Sequence, residues 1–187
     1  MGIVASAIVE NLVPHGGTYT VIELNKEVAN YAKTWKRRYK ESIANMGSSM
    51  TSNTGPQIFM DIIEGDAVQK TEELAADGKK FDLIISDTFP LSENESSVND
   101  LLDLDTLVKL LNQDGVFAFF GYHSGFQGGM NDRQGNLIDT HFKTVSKSTV
   151  GGINPPPNYK YFNPENGHIV RELPVIICAK PRIQLPA

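Results

Sequence analysis

Four polar residues lie where predicted β-strands end, and their side chains could carry chemistry. Glu23 lies at the end of the apolar run VIELN, Asp66 follows a second run in IIEGDA, and Asp87 follows the run FDLIIS. His123 lies in the turn GYHS after a fourth apolar run. In an open α/β sheet, ligands bind beyond the carboxyl ends of the strands. These four residues are therefore the first candidates for a binding or catalytic site.

Each candidate also has a structural interpretation. Glu23 could accept hydrogen bonds from both hydroxyls of a ribose, or it could favour the start of the next helix through the helix dipole. Asp66 is more typical of a helix cap than of an adenine contact. Asp87 favours function, because a carboxylate at the mouth of a central strand is costly to desolvate without a partner. A single loop histidine such as His123 is more often a surface residue than a general base.

The elements that would position these residues follow from hydrophobic periodicity. Short β-branched runs alternate with longer helical patterns, which favours an α/β fold with a largely parallel sheet. We predict Asn25 as the cap of the second helix, with Val28, Tyr31, Ala32 and Trp35 on one face of that helix. The stretch between His123 and Phe142 is predicted to be loop. The predicted strands are 18–24, 58–64, 81–86, 116–121, 142–150 and 170–179, and the predicted helices are 2–12, 26–46, 68–76 and 101–111.

Composition narrows the class of protein. The chain has 187 residues, of which 40% are hydrophobic and 21% charged, and this predicts a single domain over 1–187. The net charge of −5, with no long cluster of basic residues, argues against nucleic acid as a partner. The apolar start lacks a basic n-region, so we interpret it as a helix rather than a signal peptide or membrane span.

The single cysteine, Cys178, lies in the apolar run VIIC, which is typical of a buried and inert thiol. One cysteine permits no disulfide within the chain. This composition fits a reducing compartment, and we expect a cytoplasmic protein.

Several segments resemble guanidinoacetate N-methyltransferases. The segment FDLIISDTFPLSENE is similar to that family's signature over the seven positions 87–93. MGIVAS resembles the end of the family's glycine loop, VIELN its ribose-binding strand end, and VIICAK its C-terminal strand. The chain departs from the family around 42–56 and 126–150, so the resemblance covers most but not all of its length.

The resemblance implies a class I methyltransferase that uses S-adenosylmethionine (SAM). Its fold would be a Rossmann-like three-layer sandwich, with a mostly parallel sheet and an antiparallel C-terminal strand. The family's first central strand and glycine loop precede the position that aligns with Met1. We therefore expect the sheet of this chain to lack that strand, leaving open backbone on the two strands that normally flank it.

The resemblance also assigns roles to residues. Asp87 would be the catalytic carboxylate, facing the substrate guanidinium and the SAM amino group, and the backbone of Tyr122 and His123 would receive the substrate carboxylate. A planar guanidinium matches a carboxylate bidentately, and the carboxylate can take a proton as the nitrogen attacks the sulfonium methyl. No metal is implied. The implied SAM contacts are Met1, Gly2 and Ile3 for the methionine part, Glu23, Leu24 and Asn25 for the ribose, Asp66 and Ala67 for the adenine, and Asp87 for the amino group.

Three functions are compatible with the sequence. The first is SAM-dependent methylation of a guanidino group on a small amino-acid-like substrate. The second is a class I methyltransferase with another acceptor, such as a protein arginine or a secondary metabolite. The third is an inactive methyltransferase-like module whose open sheet is completed by a partner strand, for instance in a homodimer. None of the three requires a nucleic acid or a membrane.

Overall fold

The computed structural model describes residues 16–47, 58–86, 103–120, 132–151 and 172–182. The chain divides into two compact units, Met1–Lys70 and Thr71–Ala187. The elements in chain order are β1 (Gly17–Glu23), α1 (Lys26–Gly47), β2 (Ile58–Glu64), α2 (Ala67–Ala76), β3 (Phe81–Ser86), α3 (Leu104–Leu110), β4 (Leu111–Phe120), α4 (Asp132–His141), β5 (Phe142–Gly151) and β6 (Glu172–Pro181).

In the first unit, β1 and β2 form a parallel pair whose register runs from Gly17 beside Ile58 to Glu23 beside Glu64. Helix α1 follows β1 directly and contacts both strands. Ala29 on this helix is fully buried, and Met60 on β2 is nearly so. The small side chain of Ala29 lets the helix approach the sheet closely.

Asn25 begins α1, as predicted. Its side-chain oxygen accepts hydrogen bonds from the backbone N–H groups of Glu27 at 2.9 Å and Val28 at 3.2 Å. The predicted apolar face of the helix is wrong at Tyr31, whose side chain is 68% exposed. The helix is therefore rotated so that Ala29 rather than Tyr31 faces the strands.

The second unit contains a four-stranded sheet in the order β3-β4-β6-β5. Strands β3 and β4 are parallel, whereas β6 is antiparallel to both of its neighbours, β4 and β5. The α/β class and the antiparallel C-terminal strand are thus confirmed. Among the described strands, β6 lies inside the sheet, and β3 and β5 are its two outer strands.

The core of the second unit lies on one face of this sheet. Phe117 and Phe119 stack with ring centroids 5.2 Å apart, and they belong to a buried cluster with Leu107, Ile176 and Cys178. Because side chains alternate along a strand, the neighbouring positions point to the opposite face. On that face Leu83 is 48% and Ile85 39% exposed.

Two predictions about the second unit were wrong. Strand β4 begins at Leu111 rather than at 116, because Leu111 already pairs with Phe81 on β3. The next pairing joins Val116 to Leu83, and residues 112–115 form an irregularity between the two pairings. The stretch predicted as loop before Phe142 contains helix α4. That helix is anchored by tertiary contacts: Ile138 is buried, and His141 Nε2 lies 2.9 Å from a carboxylate oxygen of Asp105 on α3.

The described strands form two sheets, β1-β2 and β3-β4-β6-β5. Among the described residues, β1 and β3 each pair on one side only. The same holds for β2 and β5, the other outer strands of the two sheets. In the described ranges, every helix is too short or too polar to cross a lipid bilayer.

Helix α3 is fixed at both ends by side chains. The Asp103 carboxylate accepts bonds from the backbone N–H groups of Asp105 and Thr106, at 3.1 and 3.2 Å, and from the Thr106 hydroxyl at 2.6 Å. At the other end, the Lys80 ammonium donates to the backbone carbonyls of Lys109 and Leu111. A cation near these carbonyls also suits the negative end of the helix dipole.

Replacing the Asp103 cap gives a testable prediction. The pKa of Asp103 is lowered, chiefly by the hydrogen bond from the Thr106 hydroxyl and further by the two backbone N–H groups. We expect Asp103→Ala to lower the free energy of unfolding by about 1 kcal/mol at pH 7, measured by urea denaturation. Because the pKa is lower in the folded state, this contribution is complete above the ordinary value of 3.8 and is lost as the pH falls below it.

Asp103→Asn is the matched control, because it keeps an acceptor oxygen but has no charge to titrate. At pH 7 it should cost less than the alanine variant, and the difference in stability between the two variants should not depend on pH, because neither alanine nor asparagine titrates. An Asp103→Ala cost that stayed the same at pH 2.5 as at pH 7 would contradict this role of the carboxylate.

Candidate functional site

The carboxyl ends of β1 and β2 bring several predicted site residues together within the first unit. Glu23 ends β1 directly beside Glu64, which ends β2. Asn25 follows β1 at the start of α1, and Asp66 follows β2 at the start of α2. Two parallel strand ends and two helix N-termini therefore share one edge of the sheet, which is where ligands bind in folds of this class.

Glu23 is half-buried and held in one orientation. Its Oε1 atom accepts the backbone N–H of Asn25 at 2.8 Å, and its backbone carbonyl accepts the N–H of Gly65 at 3.0 Å. Among the described residues, none donates a hydrogen bond to Oε2. The carboxylate thus retains an acceptor oxygen for a ligand, so both interpretations of Glu23, a site residue and a helix-start acid, remain physically reasonable.

Asp66 performs the structural role that its position suggested. Its Oδ1 atom accepts the N–H of Gln69 at 3.0 Å, and its backbone carbonyl accepts the N–H of Lys70 at 2.9 Å. This is the geometry of a helix N-cap. Within the described part of the chain, Oδ2 accepts no hydrogen bond. Capping therefore occupies one oxygen of this carboxylate and leaves the other available.

The turn between β2 and α2 depends on a glycine that sequence reasoning did not single out. Gly65 has φ +152°, a conformation that side chains rarely adopt, and a Cβ built there would lie 2.8 Å from Cε of Lys70. The N–H of Gly65 donates to the carbonyl of Glu23. Glycine here therefore permits the backbone at the end of β2 to cross close to the end of β1.

The other ribose and adenine candidates lie at the same edge. The Leu24 side chain is 52% exposed, and Ala67, the first residue of α2, is half-buried. An exposed leucine at a strand end provides an apolar surface for a flat ring. The structure therefore brings together Glu23, Leu24, Asn25, Asp66 and Ala67, which are all the candidates that lie in its described first unit.

The remaining candidates lie outside the described residues: Met1, Gly2, Ile3, Asp87, Tyr122 and His123. The structure does describe the ends of the two strands, β3 and β4, that precede Asp87, Tyr122 and His123. Ser86, the last residue of β3, pairs with Phe119 near the end of the parallel strand β4. Strand β3 thus runs up to the position before Asp87, as predicted, and β4 runs to the position before Gly121.

Sequence reasoning missed two residues at this edge. Glu64 ends β2 as Glu23 ends β1, and its Oε2 atom lies 3.4 Å from the ammonium of Lys33 on α1. The acidic residue in IIEGDA was a usable signal, because it holds the same position in its strand as Glu23. Lys33 gave no such signal, since its partner is 31 positions away in the chain. Within the described ranges, no cluster of His, Cys, Asp or Glu is arranged to hold a metal ion.

The fold of the chain is similar to those of two solved structures. No protein-family profile and no curated protein sequence matches the chain. A structure from Thermoplasma acidophilum, proposed to be a methyltransferase, is 12% identical, with a TM-score of 0.43, and the match covers 97% of this chain and 64% of that one. A second proposed methyltransferase, determined in complex with SAH, is 14% identical with a TM-score of 0.39, and the match covers 86% of this chain and 38% of that one. The chain thus spans less than two thirds of the length of either protein, and similarity at this level assigns neither a family nor an activity to it.

Proposed function

We propose that the chain is part of a SAM-dependent methyltransferase and that the edge formed by β1 and β2 binds the adenosine portion of SAM. The observation that carries this proposal is the state of Glu23. Its carboxylate is half-buried at the end of a parallel strand, oriented by the N–H of Asn25 at 2.8 Å, and has one oxygen without a donor among the described residues. Such a group is suited to accept the hydroxyls of a ribose.

The surrounding residues fit the rest of an adenosine. Leu24 offers an exposed apolar surface for one face of the adenine, and the turn at Gly65 keeps the neighbouring backbone free of a side chain. The carboxylates of Glu23, Glu64 and Asp66 give this edge a negative charge, which favours a cationic cofactor. When bound, SAM supplies an electrophilic methyl group on a sulfonium. Met1, Gly2 and Ile3 are proposed to approach its methionine part.

For the acceptor, we propose a guanidino nitrogen of a small amino-acid-like substrate. This part rests on the resemblance over 87–93. Asp87 would orient the planar cation through two hydrogen bonds, and the backbone of Tyr122 and His123 would hold the substrate carboxylate. As the N–C bond forms and the C–S bond breaks, Asp87 would accept the proton that the nitrogen loses. Positioning and electrostatics would then supply most of the rate.

The cofactor proposal is tested by calorimetry with S-adenosylhomocysteine, the product form of the cofactor. We expect measurable binding by the wild type and at least tenfold weaker binding by Glu23→Gln, because an amide replaces charge-assisted hydrogen bonds, each worth roughly 1.5–3 kcal/mol. Glu72→Gln is the matched control, because Glu72 is exposed on α2 and should leave the affinity unchanged. The proposal fails if the wild type does not bind, or if Glu23→Gln binds as well as the wild type.

The acceptor proposal needs a separate experiment. The protein is incubated with SAM and with guanidinoacetate, arginine or an arginine-containing peptide, and products are identified by mass spectrometry. A methylated guanidino nitrogen on a small substrate supports the proposal. Methylation of the peptide alone would support a protein-arginine acceptor instead, and methylation of none of these compounds would contradict the guanidino assignment.

One observation favours a second candidate, an inactive module that binds a partner strand. Within the described residues, β3 pairs on one side only and exposes Leu83 and Ile85. Such an edge can accept a strand from another chain, including a second copy of this one. Light scattering over a range of concentrations would detect that association, whereas tight binding of S-adenosylhomocysteine would argue against an inactive module.

A further inference from the structure

We propose that Lys33 is a positioning residue for the adenosine site: it pairs with Glu64 and thereby keeps Glu23 available to the ribose. This inference rests on the proposed function of Glu23. It adds a residue of α1 to a site that sequence reasoning built only from strand ends and the residues that follow them.

Two carboxylates lie side by side at this edge of the sheet. Glu23 and Glu64 are direct register partners at the ends of β1 and β2, and neighbouring strands lie about 4.8 Å apart. Register partners point to the same face of a sheet, and like charges directly opposite each other are unfavourable. Without compensation, each carboxylate would therefore repel the other at the edge where the ligand is expected.

The structure compensates the two carboxylates differently. Lys33 extends from α1 so that its Nζ lies 3.4 Å from Oε2 of Glu64. In the described ranges, Oε1 of Glu23 accepts a hydrogen bond only from the neutral N–H of Asn25. Among the described residues, Lys33 is the one cation in an ion pair with either carboxylate. The Lys33 ammonium therefore pairs with Glu64, and Glu23 keeps its charge and its second oxygen for a ligand.

This pair contributes little to stability. The side chains of Lys33 and Glu64 are 46% and 37% exposed, and ion pairs that are open to solvent add little to the free energy of folding. A change in ligand affinity at nearly constant stability is therefore the signature of the proposed role. Loss of a purely structural clamp between α1 and β2 would instead lower stability and affinity together.

A double-mutant cycle tests the inference. The probe is S-adenosylhomocysteine, the readout is its dissociation constant at low ionic strength, and the variants are Lys33→Met, Glu64→Gln and the two combined. We expect Lys33→Met to weaken binding by roughly three- to tenfold, which corresponds to one like-charge repulsion between partly solvated groups. In the Glu64→Gln background, the same change at Lys33 should have no effect, because no second negative charge is left to compensate. Lys33→Arg should retain most of the affinity.

Salt provides an independent readout. Since the repulsion acts between partly exposed charges, 0.5 M NaCl should reduce the difference between Lys33→Met and the wild type. The inference is overturned if Lys33→Met binds like the wild type, or if the double variant binds as weakly as Lys33→Met. Both of those results require a wild type that binds S-adenosylhomocysteine, so they overturn this inference and leave the proposed function standing. If the wild type does not bind, the proposed function and this inference fail together. Thermal unfolding of each variant verifies that it is folded.

Discussion

Iodoacetamide should alkylate Cys178 in the folded protein roughly a thousandfold more slowly than in the unfolded chain at pH 8. Burial raises the pKa of the Cys178 thiol to about 12, and the charge of Asp139 adds to the shift. The reactive species is the thiolate, and an unperturbed thiol has a pKa of about 8.5. The fraction of thiolate at pH 8 therefore falls by about three orders of magnitude on folding. The side chain is also fully buried, so the reagent cannot reach it without local opening of the core.

The measurement is the alkylation rate, followed by mass spectrometry, in buffer and in concentrated urea. Because Cys178 is the single cysteine of the chain, one mass increment reports on one site. Equal rates in buffer and in urea would show that β6 is not buried between β4 and β5 in solution. The sequence-based interpretation of this thiol as buried is confirmed by the structure.

Truncation of Leu107 should produce a large loss of stability in the second unit. Leu107 lies on α3 and is 1% exposed, and it belongs to the cluster that includes Phe117 and Ile176. A buried leucine replaced by alanine loses its transfer free energy and leaves a cavity, which together cost about 2–5 kcal/mol. We expect Leu107→Ala to fall in this range by urea denaturation. Such a loss is a large share of the stability of an ordinary domain.

The matched control is Leu83→Ala on β3. This leucine is in the same unit but 48% exposed, so about half of its surface is already in water and little cavity can form. We expect its replacement to cost less than about 1 kcal/mol. A Leu83→Ala cost equal to that of Leu107→Ala would indicate that the outer face of the sheet is covered in solution.

The strongly periodic parts of the fold could be predicted from sequence. Strands β2 and β3 begin and end where they were predicted, and α1 differs by one residue at its end. These elements have clear local signals: an asparagine cap before α1, and in both strands a mostly apolar run that contains one aspartate. Local propensity and tertiary structure agree at these positions, so sequence alone was sufficient.

The errors occur where tertiary contacts override local signals. Helix α4 contains a glycine and mostly polar residues in DRQGNLIDTH, so its periodicity is weak, and it depends on the burial of Ile138 and on the contact between His141 and Asp105. The early start of β4 depends on Leu111, which is fully buried beside the start of β3. Neither contact can be recognised from a local window, because the partners are distant in the chain.

The residues of the candidate site also divide into those that a local sequence signal indicates and those that depend on tertiary contacts. Glu23 and Asp66 were predicted because each lies where a strand ends, which a local pattern reveals, whereas the ribose role of Asn25 came from the resemblance. The pairing of Lys33 with Glu64 depends on how α1 packs on β2, and the conformation of Gly65 depends on the path of the chain between β2 and α2. The roles of Met1, Gly2, Ile3, Asp87, Tyr122 and His123 stay predictions.

The position of β6 has a consequence for synthesis of the protein. Because β6 lies between β4 and β5, two strands made earlier cannot join until Glu172–Pro181 has left the ribosome. Until then, the nascent chain carries two strands whose inner edges are unpaired, and such edges are prone to aggregation. Chaperone dependence during translation should therefore be concentrated in the interval between synthesis of β4 and release of β6.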